Sequence, residues 1–239
     1  MRSRFYGSGL LCALALACGL VQAQDRPAPG QAAELRLHLV FPHPGKTRGV
    51  PAVIWLEPLP DTPALTFTPR GRYTLLQKNR TFLPHLQVIP VGSVVQFPNA
   101  DPFFHNVFSL FDGKRFDLGL YEAGSSKSVT FAREGVSYIF CNIHPEMSAV
   151  IITLSTPLFA IADASDAFAL HGIPPGDYRI HFWIEGVPHS DLAALDRRLH
   201  LSPRTLDLGA MEVSFSVLEG GTHKNKFGEA YPPETQSPY

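Results

Sequence analysis

Residues 135–154 read GVSYIFCNIHPEMSAVIITL. The two ends of this stretch are strand-like. Residues up to Cys141 continue a run that begins at KSVTFAREG and turns at Glu134–Gly135. SAVIITLS, from Ser148, is rich in the β-branched residues that strands favour. Between them lies a short loop that holds Cys141, His144 and Met147 at intervals of three, with Pro145 after the histidine. A turn leaving a strand brings side chains at such spacing around one point. The stretch therefore reads as strand, ligand-bearing loop, strand.

Outward from it, the chain repeats short strand patterns. ELRLHLVF alternates polar and apolar residues, and PAVIWLEPLP is an apolar run closed by prolines. Leu86–Ile89 and Ser93–Phe97 are two strands joined at Pro90–Gly92, HNVFSLF is another, and FDGKRFD is a turn. After Pro157, FALHGIPPGDYRIHFWIEG gives strand, Pro-Pro-Gly turn, strand, and GAMEVSFSVL closes as a strand. DLAALDRRLHL fits either a short helix or a strand with a loop. With 22 prolines, 19 glycines, 45% hydrophobic residues and no long helical period, the chain is expected to be all-β, with two sandwich-like units. The expected units are a first domain over 34–156, with its chemical core at about 77–156, and a second over 157–218. A flexible leader (24–33) and a polar tail (219–239) flank them. Residues 34–58 carry a second possibility, pairing with the C-terminal unit so that the first becomes an insertion.

The first 23 residues read as a secretory signal peptide. Arg2 and Arg4 precede an apolar run too short to span a bilayer, and small residues precede an expected cut after Ala23. Cleavage would leave a periplasmic or otherwise exported chain without stable membrane insertion. It would remove both arginines and no acidic residue, taking the net charge from −1 to −3. No basic field is present to attract nucleic acid. Cleavage would also remove Cys12 and Cys18, leaving Cys141 alone. Exported proteins usually pair their thiols. A lone one is core, an intermolecular partner, or protected by a bound metal.

Cysteine, imidazole and thioether are soft or borderline ligands, and together they suit copper better than magnesium or calcium. The loop offers three, and a further ligand must come from elsewhere. His105, in DPFFHNVFS at the start of another strand, is the best candidate. A trigonal set of His105, Cys141 and His144 with Met147 above the plane is the arrangement of a blue electron-transfer site with one copper ion. Each residue alone has an ordinary reading: a buried thiol, a turn histidine, core packing. His38, His43, His85, His171, His181, His189, His200 and His223 lack any partner pattern and read as structural or solvent-facing.

FPNADPFFHNVFS followed by FCNIHPEM resembles the cupredoxins, the small blue copper proteins of the plastocyanin and amicyanin type. The Cys-x-x-His-x-x-Met loop is similar to the short amicyanin version. With FDLGLY at 116–121, the run is similar to cupredoxin-containing proteins of the methylamine-utilisation type. The resemblance implies a Greek-key β-sandwich with His105, Cys141, His144 and Met147 as ligands. It also implies that Asn106 ties the ligand loops together or gives a backbone N–H to the sulfur, and that the Phe104 carbonyl is a weak further contact. FALHGIPPGDYRIHFW resembles a carboxypeptidase-regulatory, or transthyretin-like, β-sandwich, although Asp166 and Ala167 stand where that pattern has glycine.

Phe103, Phe104 and Pro145 read either as turn packing or as an apolar patch where a redox partner protein docks. The expected function is a one-electron carrier and not an enzyme. The alternative is a copper-binding or delivery protein without a dedicated redox partner, although open Met- or His-rich tracts are missing. A thiol hydrolase would need an orienting third residue. Multicopper His-x-His clusters, a second loop cysteine and Cys-x-x-Cys-His haem attachment are all absent from the sequence.

Overall fold

A computed structural model describes residues 31–41, 49–110, 113–213 and 223–231. The expected signal peptide and most of the leader lie outside these residues; Ala33, the leader's last residue, already opens the first strand. In chain order the strands are β1 (Ala33–Val40), β2 (Ala52–Pro58), β3 (Tyr73–Thr74), β4 (Leu76–Lys78), β5 (Thr81–Leu83), β6 (Leu86–Pro90), β7 (Ser93–Pro98), β8 (His105–Ser109) and β9 (Phe116–Tyr121). They continue as β10 (Ser126–Phe131), β11 (Gly135–Cys141), β12 (Ser148–Leu154), β13 (Phe159–Ile161), β14 (Ala167–Ile173), β15 (Gly176–Ile184), β16 (Arg197–Leu201) and β17 (Thr205–Glu212). The protein is all-β. Among the described residues the helical content is one turn at His189–Leu192 and a 3₁₀ turn at Ala193–Leu195. The ambiguous DLAALDRRLHL is thus helix, then strand. No helix among the described residues is long and apolar enough to cross a membrane.

A five-stranded sheet, in the order β6-β12-β11-β8-β9, forms the middle of the molecule. One of its faces meets the sheet β10-β7-β3 across a core that includes Val95, Phe97, Val107, Phe131, Ile139 and Ile151. Its other face meets a second core through Val150, Ile152 and Leu154, with Val136 and Tyr138 beside them. Strand period explains the split. Successive side chains of β12 point to opposite faces, so a strand buried on both is apolar on both, as the run Ala149–Ile152 is. Each such isoleucine taken from water contributes about 1.5–3 kcal/mol.

The second core lies between the sheets β14-β1-β17 and β13-β2-β15-β16. β1 pairs antiparallel with β14 and parallel with β17, burying Leu35, Leu37 and Leu39. β2 pairs with β13 and β15. Of the two possibilities open for residues 34–58, the strand pairing matches the second: β1 and β2 pair with the C-terminal strands and not with the sheets of the first unit, which moves the first boundary from 34 to beyond β2. The reason is coverage. β2 is apolar on both faces, and residues 157–218 alone supply sheets that each lack a central strand. Directly paired residues share a face, so Val53 and Trp55 lie with Trp183 and His181 on one side of β2–β15. That side faces the five-stranded sheet, and the Trp183 indole N–H donates to the Tyr138 hydroxyl at 3.1 Å.

Candidate metal centre

Cys141 ends β11, and the loop after it is closed by its own backbone. Met147 N–H donates to the His144 carbonyl at 3.1 Å, a β-turn with Pro145 at its second position, where the fixed proline φ is favoured. Cys141 N–H donates to the Met147 carbonyl at 3.3 Å. The proline between histidine and methionine is therefore the corner that returns the chain to β12. Alongside, β11 pairs antiparallel with β8 through Phe140–Phe108 and Cys141–Val107. This pairing brings His105, at the start of β8, beside the loop, and the Asn142 N–H donates to the Asn106 carbonyl at 2.8 Å.

Three side-chain atoms converge. His105 Nδ1 lies 3.6 Å from Cys141 Sγ, His144 Nδ1 lies 3.5 Å from it, and the two imidazole nitrogens are 3.2 Å apart. His105 and Cys141 are both 0% exposed, whereas His144 is half-buried. A borderline-soft ion about 2.0 Å from each nitrogen and about 2.3 Å from the sulfur, in the plane of the three, would space the nitrogens about 3.5 Å apart and each nitrogen about 3.7 Å from the sulfur. The observed separations are all slightly shorter than these, by about 0.3 Å or less. Among the described residues this is the one group of three His, Cys, Asp or Glu side chains that could hold a metal ion. One thiolate with two imidazoles suits copper or zinc, and a methionine beside them favours copper. Met147 is 0% exposed and belongs to the same core as Cys141.

The imidazole of His105 is aimed by a residue that the sequence reading passed over. Asp101 accepts from His105 Nε2 at 2.9 Å, and a carboxylate only accepts. Nε2 therefore carries the proton, and the lone pair of Nδ1 faces the sulfur. Asp101 is in turn held by two consecutive backbone donors, Asn79 N–H at 2.5 Å and Arg80 N–H at 3.0 Å. Both residues have positive φ, 56° and 55°, in the two-residue turn between β4 and β5. Such a turn matches the twist of a hairpin, but a non-glycine residue in this region costs about 1–2 kcal/mol. Here the turn presents two adjacent N–H groups to one carboxylate. Asn99 completes the loop, accepting from Asp101 N–H at 3.0 Å and donating to the Phe103 carbonyl at 2.8 Å. The Arg80 guanidinium sits over the Phe103 ring, which also meets the rings of His105 and His144 at 5.3 and 5.4 Å.

The electrostatics follow from burial. Burial opposes ionisation of Asp101, but the N–H bonds and His105 outweigh it and hold the carboxyl below its usual range. Burial pushes the Cys141 thiol up, partly countered by backbone N–H groups of Asn106, Ile143 and His144 directed at the sulfur. Burial lowers His105 against the pull of Asp101, and burial followed by the nearby charge of His105 lowers His144. Burial thus keeps both imidazoles in the neutral form that ligates and disfavours the thiolate in the absence of a compensating cation.

Asn106 does two things here: its backbone links the loops and reaches the sulfur, and its side chain donates to Asp117 at 2.7 Å. Phe104 stands outside the converging trio with its side chain at the surface, 50% exposed, and Ile143 is exposed as well. Pro145 is half-buried at the turn. The sequence reading also missed residues 223–231. His223 stacks on Phe140, Lys226 bonds Asn142 and Asp117, and the Tyr231 hydroxyl donates to the Cys141 carbonyl at 2.7 Å. A polar, Gly- and Pro-containing composition gave no sign that this segment packs on the site.

No family model matches the chain, and no curated protein matches it. Among solved structures it is similar to a purple cupredoxin from Nitrosopumilus maritimus, at 23% identity and a TM-score of 0.31, over 34% of this chain and 99% of that one. It is similar to amicyanin from Paracoccus versutus, at 22% identity and a TM-score of 0.33, over 36% of this chain and 85% of that one. It is also similar to a copper-containing nitrite reductase from Thermus scotoductus, at 25% identity and a TM-score of 0.34, over 41% of this chain and 25% of that one. With TM-scores this low, the case for the site rests on its own atoms.

Proposed function

We propose that this chain is an exported type 1 (blue) copper protein that carries one electron at a time between partner proteins. The observation that carries the reading is the meeting of two imidazole Nδ1 atoms and one unpaired, buried thiol within 3.2–3.6 Å. His105, Cys141 and His144 would hold the ion, with Met147 as a further, soft ligand. Copper, when bound, supplies a one-electron couple. The chain's residues supply the rest. Asp101 fixes the His105 tautomer, backbone N–H groups stabilise the thiolate, and the hydrogen-bonded loops keep the ligands from moving as charge changes.

His144 is the ligand nearest the surface, and Phe104, Ile143 and Pro145 surround the loop's outer edge. This rim supports docking of a redox protein through a small apolar contact, the kind used in weak electron-transfer encounters. Phe103, packed between Arg80 and the two histidines, would stiffen that rim.

The test is the spectrum of full-length protein loaded with one equivalent of copper. A carrier gives an intense thiolate-to-Cu(II) absorption that bleaches on reduction and returns on oxidation over many cycles. The Cys141→Ser variant should fold and lack that band. A band of full intensity in the variant would refute the assignment. Metal that leaves for a chelator at the first reduction would favour the delivery reading.

A further inference from the structure

The described part of the C-terminal segment, His223–Tyr231, does not run free. It packs on the Cys141 loop and on the neighbouring strands β8, β9 and β11. At one end, the His223 ring stacks on Phe140 at 4.1 Å, and its Nδ1–H donates to the Lys224 carbonyl at 3.0 Å. At the other end, the Tyr231 hydroxyl donates to the backbone carbonyl of Cys141 at 2.7 Å and lies 3.3 Å from His223 Nδ1. Between them, Lys226 ties the Cys141 loop to β9. Its backbone N–H donates to Asn142 Oδ1 at 2.9 Å, and its ammonium meets Asp117 Oδ2 at 2.8 Å. The other oxygen of Asp117 accepts from the Asn106 side chain, next to His105. Asn225 shapes the segment for this, accepting the N–H groups of Phe227 and Glu229 on its side-chain oxygen.

We propose that His223–Tyr231 is a latch that positions the thiolate loop and sets the site's electron affinity, with Lys226 and Tyr231 as its positioning residues. The inference rests on the copper reading above for its redox part and stands on the metal-free protein for its structural part. The physical logic has two arms. The phenol anchors the peptide that carries the sulfur, so the direction of the Cys141 side chain is fixed from outside the site as well as from within. The ammonium neutralises Asp117. A site of one thiolate and two neutral imidazoles is one charge more positive when oxidised than when reduced. Removal of Lys226 leaves Asp117 as an uncompensated negative charge, and that charge favours the oxidised form.

The experiment uses the full chain in three variants, Lys226→Met, Lys226→Arg and Tyr231→Phe. In copper-loaded protein, Lys226→Met should shift the reduction equilibrium about tenfold toward the oxidised form, about 59 mV for one electron, and Lys226→Arg should restore it. In metal-free protein, Tyr231→Phe should speed hydrogen exchange of the amides at residues 142–144 about fivefold, the effect of losing one ordinary hydrogen bond. Exchange in β1 and β14 serves as the unaffected reference. A wild-type potential in Lys226→Met together with unchanged exchange in Tyr231→Phe would overturn the latch while leaving the copper reading intact. A wild-type protein that binds copper without a thiolate absorption would defeat the copper reading, and the amide exchange would still decide the latch.

Discussion

Asp101→Asn is the substitution whose effect can be worked furthest from the atoms. Asp101 is 4% exposed and accepts three hydrogen bonds, from Asn79 N–H, Arg80 N–H and His105 Nε2–H. Asparagine has nearly the same shape but one acceptor oxygen. Asn79 N–H bonds Oδ1, whereas Arg80 N–H and His105 Nε2–H share Oδ2. With the amide oxygen at the Oδ2 position, the NH₂ group meets Asn79 N–H and the imidazole keeps only a neutral acceptor. With the oxygen at Oδ1, the NH₂ group meets Arg80 N–H and His105 Nε2–H, donor against donor. The conflict at His105 is relieved when the imidazole moves its proton to Nδ1, the atom that faces Cys141. The metal-facing lone pair is then lost. A hydrogen bond to a charged group is worth about 1.5–3 kcal/mol, which corresponds to about 10–150-fold in binding. Loss of a group that orients a histidine ligand typically costs about 10–100-fold in metal affinity. The two routes agree, so copper affinity should fall between those limits. Titration of reduced protein against a competing chelator of known affinity measures it directly, and chemical unfolding of the metal-free variant reports any loss of fold separately. An affinity within twofold of wild type, with an unchanged spectrum, would refute the chain of reasoning from turn to carboxylate to imidazole.

Met147→Gln should keep copper, because three ligands remain, and should move the reduction potential, since the axial group tunes it; voltammetry that returns the wild-type potential would remove Met147 from the ligand set. His85 offers a test of pH dependence. Its Nε2 meets Glu185 at 2.7 Å and its Nδ1 meets the Ser148 carbonyl at 3.1 Å, so both nitrogens donate and the ring is favoured in its charged form. The Glu185 hydrogen bond raises its pKa above 6.5, against burial. A raised folded pKa means stability that is fully present below the unfolded value and lost as pH rises through the folded one. Denaturant midpoints of wild type should therefore fall between about pH 6.5 and the alkaline side, and Glu185→Gln should flatten that slope; parallel profiles would contradict the pairing.

The elements nearest the chemistry were legible because the sequence fixes them locally. Three side chains at intervals of three, a proline at the turn and β-branched flanks leave few ways to fold residues 135–154. His105 was found from its residue type and its place at a strand start. Asp101 was not, because its role depends on a hairpin turn twenty-one residues upstream, whose two left-handed residues, Asn79 and Arg80, are not glycines. An aspartate four positions before a proposed ligand was the available signal. The placement of 34–58 stayed open between two units for a related reason. Alternation in ELRLHLVF states that one face is buried but not against which sheet, and pairing over more than a hundred residues leaves no local trace. The segment at 223–231 was read as tail because its contacts are mostly hydrogen bonds and ring stacking, which composition does not register.

The middle sheet has an architectural consequence. Because β12 gives Ala149 and Ile151 to one core and Val150, Ile152 and Leu154 to the other, neither half of the molecule owns it. A chain severed after residue 156 would keep its ligand loop intact yet leave a greasy, uncapped wall where Trp183 and its neighbours had lain. The part that carries the candidate metal centre is thus no detachable cassette: whatever strains, swells or melts the partner sheets is felt in the very strand on which the Cys141 loop lands.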